Sequence, residues 1–288
     1  MSSALFALMT AIVKLLAARI GPVEIGFFRQ FFSLLPISIA ITHHGGPAVL
    51  RTARPFGHLF RGLIGNLGMM IIFLSIAWLP LADATALSFS SPLFLTALSV
   101  PLLGEAVGLP RWGAVVVGFA GVIIMTNPSG AWFTAGAGAG AGMGVLGAMM
   151  SALMTVTIRQ LSLTEPAVRI VFYFAVIGCL VFGALLLFFW TTPTNWEWAG
   201  LIAVGLVGGL SQLTMTHAYR HAPAALLAPF GYSSLVWSTI LGYLLWHQLP
   251  STRIVSGGAI VIASGLFILY REGRRSGLEK PDALSLAE

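Results

Sequence analysis

The sequence predicts an all-α integral membrane protein of ten transmembrane helices, arranged as two inverted five-helix repeats with both termini cytosolic. Three observations carry this. Hydrophobic residues make up 57% of the 288 residues and charged residues 8%, against about 25% charged in a soluble domain, so the chain cannot cover itself in water. The stretch Ala7–Leu16 returns as Ala152–Leu161 with five of ten positions identical, an offset of 145, and such internal similarity marks a unit used twice. Lys and Arg gather on alternate loops, which sets the orientation.

A membrane-crossing helix needs about 20 mostly apolar residues. Breaking the sequence at Pro, Gly and charged clusters gives ten segments: 3–19, 23–42, 57–79, 82–104, 111–127, 138–160, 167–190, 197–219, 223–246 and 254–270. The first repeat is 1–127, the linker 128–137, the second repeat 138–270, and 271–288 a cytosolic tail. Segment 6 begins in the Ala/Gly run 135–142, a poor helix former expected to stay partly unwound. With the N-terminus inside, the inner loops and tail hold Arg51, Arg54, Arg61, Arg111, Arg159, Arg169, Arg220, Arg271, Arg274, Arg275 and Lys280, and the outer side Lys14, Arg19 and Arg253.

Five helices per half is an odd number, so the second half enters the membrane upside down. Lys14 then marks the outer end of segment 1, and Arg159 the inner end of segment 6. Pro22 and Pro166 open segments 2 and 7. Gly113 and Gly121 in segment 5 match Gly257 and Gly265 in segment 10, read here as packing positions where small residues let helices approach. Inverted repeats are a recurrent transporter architecture, with substrate bound near the midplane between the halves.

Composition also excludes. The net charge of +6 comes from single basic residues at segment ends, a topological pattern rather than a nucleic-acid stripe. One cysteine, Cys179, rules out a disulfide framework or a thiolate metal site. His43, His44, His58, His217, His221 and His247 show no metal-ligand grouping, no nucleophile–base pair is visible, and no filter motif points to a channel. No catalytic residue, metal or cofactor is expected. No signal peptide is evident; the usual cytosolic lead-in is missing, as a trimmed N-terminus would leave it.

The run Ala82-Asp83-Ala84-Thr85-Ala86-Leu87-Ser88-Phe89-Ser90-Ser91-Pro92, then Leu102-Leu103-Gly104-Glu105 and Arg111-Trp112-Gly113, resembles the EamA family of the drug/metabolite transporter superfamily. Weaker echoes are Ala218-Tyr219-Arg220-His221-Ala222-Pro223-Ala224, Tyr232-Ser233-Ser234 and Leu244-Leu245-Trp246-His247, while Gly26-Phe27-Phe28-Arg29 looks like the family's second helix. Among relatives the chain looks most like bacterial amino-acid exporters of the aromatic-exporter (YddG-like) type; S-adenosylmethionine, riboflavin and nucleotide-sugar carriers share the fold. His247 stands where the family often has a glutamate, so that residue's role does not carry over.

Segments 3, 4, 8 and 9 carry polar or aromatic stripes at three-to-four-residue spacing, one helix face each. These are Asn66, Met70 and Phe73; Thr85, Ser88 and Pro92 with Ser91 beside them; Gln212, Met215, Thr216 and Tyr219; and Pro229, Tyr232, Ser233 and Trp237. The resemblance implies that segments 1, 3, 4, 6, 8 and 9 surround a cavity, with Thr10 and Thr155 facing it. The expected substrate-binding set is Thr10, Asn66, Met70, Phe73, Ser88, Ser91, Thr155, Gln212, Met215, Tyr219, Tyr232, Ser233 and Trp237, with Pro92 and Pro229 as hinges. The competing reading of the polar members is hydrogen bonding between helices.

Arg29 lies about 10 Å into segment 2, expected either to snorkel to the outer interface or to pair with Glu24 or Asp83. Lys14 is read as a topological anchor. No carboxylate sits at a midplane, favouring facilitated diffusion or exchange over tight proton coupling. No basic cluster is expected inside the cavity, which counts against phosphate-bearing cargo. The expected function is export of aromatic or other neutral amino acids, or related small metabolites, across a bacterial inner membrane. S-adenosylmethionine, riboflavin or a nucleotide derivative is the alternative cargo, the bilayer and a small molecule are the partners, and the oligomeric state is open to a monomer.

Overall fold

The computed structural model describes residues 2–103, 108–126, 137–221 and 224–278, and among these every regular element is helical. The helices are α1 (Ser2–Leu16), α2 (Pro22–His43), α3 (Pro55–Trp78), α4 (Leu81–Ser88), α5 (Ser91–Leu103), α6 (Leu109–Thr126), α7 (Ala137–Ser162), α8 (Ala167–Leu186), α9 (Asn195–His221), α10 (Ala224–Trp246) and α11 (Thr252–Leu278), with a short 3-10 turn after α2. Eight stretches are long and apolar enough to cross a membrane, Leu81–Leu98 among them. The 15-residue α1 and the 23-residue α10 are not among these eight; counted with them, the helices match the ten segments expected.

Where the sequence breaks its pattern, the backbone does too. Segment 4 splits into α4 and α5 at Phe89-Ser90, because Pro92 has no N–H to continue the α4 ladder and disfavours helix just before it. The turn closes locally, with Ser90 N–H donating to Leu87 O at 3.1 Å and Ser90 Oγ to the same carbonyl at 2.7 Å. In the second half α10 runs on through position 229. The Ala/Gly run departs from expectation: α7 is helical from Ala137. Packing overrides propensity there. A side chain at Gly140 would meet Leu79 at 3.0 Å and one at Gly144 would meet Leu87 at 2.9 Å, so the glycines let α7 lie close against α3 and α4. Helix α11 continues past segment 10 to Leu278.

The packing has the symmetry the repeat predicts. Exchanging α1, α2, α3, α4/α5 and α6 with α7, α8, α9, α10 and α11 sends the α3–α7 contact onto α9–α1, α2–α9 onto α8–α3, and α1–α10 onto α7–α4/α5. The pairs α2–α8, α6–α11 and α4–α10 map onto themselves and mark the pseudo-two-fold axis. Phe89 and Tyr232, from corresponding motifs, meet edge to face at 5.0 Å. Of the four glycines flagged in sequence, Gly121 and Gly257 meet backbone to backbone, a Cβ on either falling 2.6–2.8 Å from the other's carbonyl oxygen, while Gly113 touches nothing.

The main core draws side chains from both halves, and a smaller cluster joins α2 and α8 through Ile37, Ile41, Val168, Val171 and Ala175. Phe31, Leu35, Ile39, Val116, Ile123, Leu180, Val236 and Leu244 are exposed around the outside, the apolar surface that lipid covers. Trp78, Trp190 and Trp196, also exposed, sit at α3, α8 and α9 ends that the topology puts on one face, the position of an interfacial aromatic belt.

Candidate substrate cavity

A cavity of about 430 Å³ lies between the halves, within the range of small-molecule sites. Its wall draws on α1, α3, α4, α7, α9 and α10, with Arg29 of α2 and Phe174 of α8. Five methionines (Met9, Met69, Met150, Met154, Met215) and the rings of Phe6, Phe73, Phe89 and Phe174 supply most of the apolar surface. Thioethers are flexible and polarisable, so such a wall adapts to its occupant.

The cavity gathers Thr10, Phe73, Ser88, Thr155, Gln212 and Met215 of the expected set, together with Thr85. The repeat-related threonines behave alike: Thr10 Oγ1 donates to Phe6 O and Ala7 O, and Thr155 Oγ1 to Ser151 O at 2.8 Å. Each hydroxyl satisfies itself on its own helix and keeps its lone pairs. Thr85 Oγ1 donates to Ser238 Oγ at 2.9 Å, tying α4 to α10. Gln212 is buried with Nε2 unpartnered.

Other members sit elsewhere. Asn66 donates to Gly62 O and Phe174 O and accepts from Gln30 Nε2, joining α2, α3 and α8 outside the cavity wall. Met70 packs against the core, and Ser91, Ser233 and Pro92 are half-buried off the wall. Tyr232 is half-buried with its hydroxyl unpartnered, against Gly265. Trp237 is 45% exposed on the outer surface. The side chains of Tyr219 and Pro229, the linker before Ala137 and the Gly104-Glu105 motif lie outside the described residues.

The charge distribution corrects the sequence reading. Arg29 neither snorkels nor pairs with Glu24 or Asp83: it is 3% exposed, lines the cavity, and among the described residues makes one hydrogen bond, Nη1 to Gln30 Oε1 at 3.1 Å. Arg61, expected in an inner loop, is 0% exposed within α3, and none of its three nitrogens has a partner among the described residues. Both guanidinium carbons lie near the Phe174 ring, at 5.7 and 4.5 Å from its centroid, an attraction of cation to ring face. One arginine therefore lines the cavity, and a second shares its aromatic neighbour behind the wall. Each arginine looks like an interfacial residue when its own helix is read alone; only the crossing of α2, α3 and α8 brings them together.

Lys14 is more than an anchor. Its ammonium donates to Leu79 O and, at 3.3 Å, to Ile76 O, and lies 5.6 Å from the Trp246 ring centroid. It caps the last turn of α3, where orphan carbonyls attract a cation, and roofs the cavity with α1, α3 and α10. Val13, Leu16 and Ile20, further along, are buried in the core. At the other end the wall reaches Ser2 and Ser3, the start of α1. Arg159, the repeat partner of Lys14, is exposed.

At the arginine-rich loops, Glu165 accepts from Thr52 Oγ1 at 2.8 Å and from Arg169 Nη1, with His58 Nε2 at 3.7 Å. Burial opposes its ionisation, but these donors outweigh burial and hold its pKa below the ordinary glutamate value. A depressed folded pKa stabilises above the unfolded value, about 4.3, and that contribution is lost as pH falls through the lower folded value. Thermal denaturation in detergent is expected to show the midpoint falling below about pH 4.3, with Glu165→Gln lowering the neutral-pH midpoint and flattening this slope.

The comparisons with known proteins agree with this architecture. Residues 1–127 and 138–270 each match the EamA-like transporter family. The chain is 32% identical over 261 residues to an S-adenosylmethionine uptake transporter of Rickettsia conorii, covering 91% of this chain and 87% of the relative. It is 32% identical over 265 residues to the pseudopaline exporter CntI of Pseudomonas aeruginosa, 92% of each chain. A riboflavin transporter of Rhizobium johnstonii is 28% identical over 272 residues, 94% of this chain and 89% of the relative. A solved crystal structure superposes with a TM-score of 0.67 at 20% identity, over 95% of this chain and 96% of the other. Two matched repeats, eight helices long and apolar enough to cross a membrane, and a cavity between the halves make this chain a multi-pass membrane transporter of the EamA-like family.

Proposed function

We propose that the protein is an alternating-access carrier exporting amino acids or closely related small metabolites by facilitated diffusion or exchange, with both termini cytosolic. The observation that carries this is an asymmetry between equivalent positions. Lys14 and Arg159 correspond in sequence, yet Lys14 roofs the cavity while Arg159 is exposed. Two structurally equivalent halves in different local arrangements, around a site between them, are what alternating access requires. The wall, apolar with a few placed hydroxyls and an amide, suits an amphipathic occupant. S-adenosylmethionine is a second reading, favoured by the Rickettsia relative, and it too ends in an amino-acid group.

Purified protein in liposomes preloaded with unlabelled amino acids is expected to exchange labelled neutral and aromatic amino acids faster than protein-free vesicles. No exchange for any member of the panel overturns this reading.

A further inference from the structure

We propose that the cavity contains a carboxylate-recognition subsite built by Arg29 of α2 and Gln212 of α9, with Arg61 of α3 adding a second positive charge beyond the wall. The cargo would then be a metabolite bearing an amino-acid carboxylate; this rests on the carrier reading above. An uncompensated charge buried in a membrane protein is costly and marks a functional site. Here there are two of one sign, Arg29 and Arg61, sharing the Phe174 ring. No aspartate or glutamate lies within ion-pair distance of either among the described residues, and none lines the cavity.

The geometry favours a planar two-oxygen anion. Of the Arg29 donors, Nη1 is engaged by Gln30 and the buried Nε has no hydrogen-bond partner, and a guanidinium with unused donors pairs bidentately with a carboxylate. The α9 residue beside that edge is Gly208, where a Cβ would fall 3.3 Å from Arg29 Nε. Gln212 is one turn further along the same face of α9, also on the cavity wall, with a buried and unpartnered amide nitrogen. Two unused donors from two helices thus converge on one region. Met9 and Phe174 stand beside it to cover the apolar part of the cargo.

The test uses the full chain in proteoliposomes and in detergent. L-phenylalanine, L-methionine and L-histidine are each compared with their primary amides, which keep the side chain and amine but lose the anion. In the unmodified protein the acids are expected to exchange about tenfold or more faster than the amides, the discrimination of a charge-assisted bidentate pair. Arg29→Gln is expected to bring that ratio close to one. Gln212→Glu, which places a protein carboxylate beside Arg29, is expected to do the same. Both variants are also expected to raise the thermal midpoint of the ligand-free protein, because each removes or neutralises an uncompensated buried charge. A merely structural arginine would lower it. Equal exchange of acid and amide by the unmodified protein overturns the subsite and leaves the carrier reading standing. Exchange of neither, in the presence of folded protein, overturns the carrier reading for amino acids and the subsite with it. A lowered midpoint in both variants, with the acid preference intact, assigns the arginine to packing and overturns the subsite.

Discussion

Gly205→Ala is expected to destabilise the protein more than any other single-methyl addition considered, by about 3 kcal/mol, the upper end for overpacking a close contact. A methyl there would stand 2.8 Å from Phe28 O and 3.0 Å from Phe32 Cα. These are backbone atoms of α2, so no rotamer change relieves the clash and the two helices must part. The same face of α9 carries Gly208 and Gly209, the latter 2.9 Å from Ser33 Cα by the same measure. This is the close small-residue packing that holds membrane helices together where the hydrophobic effect does not. Separating α2 from α9 also moves Arg29 away from Gln212. Thermal denaturation in detergent should show a midpoint lower by roughly 10 °C, and Gly205→Val should yield no folded protein. Gly113→Ala is the control: nothing lies within 4 Å of its added carbon, so its midpoint should hold or rise slightly through helix propensity. Equal effects at the two positions would show that glycine packing is not what joins α2 and α9.

Lys14→Met is expected to open the roofed end of the cavity. The ammonium holds two α3 carbonyls and lies near the Trp246 ring, and hydrogen bonds to a charged donor contribute about 1.5–3 kcal/mol each. Losing even one of them shifts a two-state equilibrium about tenfold or more. Thr10, on the cavity wall, is the reporter. With Cys179→Ala as background, Thr10→Cys should react with a membrane-impermeant maleimide from the Ser2–Ser3 side and slowly from the other. Adding Lys14→Met should raise the slow rate at least tenfold. An unchanged rate would show that this end of the cavity stays closed without the lysine.

Much of the machine was legible along the chain. The apolar helices could be placed because each apolar run is bounded by proline, glycine or charge, and a bilayer demands continuous helix between such marks. The inversion followed from Lys14 and Arg159 at equivalent positions on opposite faces. Pro92 announced the break between α4 and α5. The stripe on α3 was less informative. Asn66 and Phe73 share a face, yet Asn66 is taken by Gln30 and by the Phe174 carbonyl while Phe73 reaches the cavity. Periodicity gives the direction a side chain points from its own helix, not which neighbour crosses at that height.

The sequence alone therefore determined the all-helical membrane fold, its two-fold repeated plan and the family, since hydropathy, charge and repetition are properties of the chain read in order. It could not determine the environment of a charge. Arg29, Arg61 and Lys14 all stand where a single helix would let them reach an interface. The tertiary structure decided that Lys14 is used by the α3 carbonyls and that the two arginines are enclosed with no counter-charge among the described residues. Solvation of a charge depends on every helix packed around it, and that is fixed only when α2, α3, α8 and α9 cross.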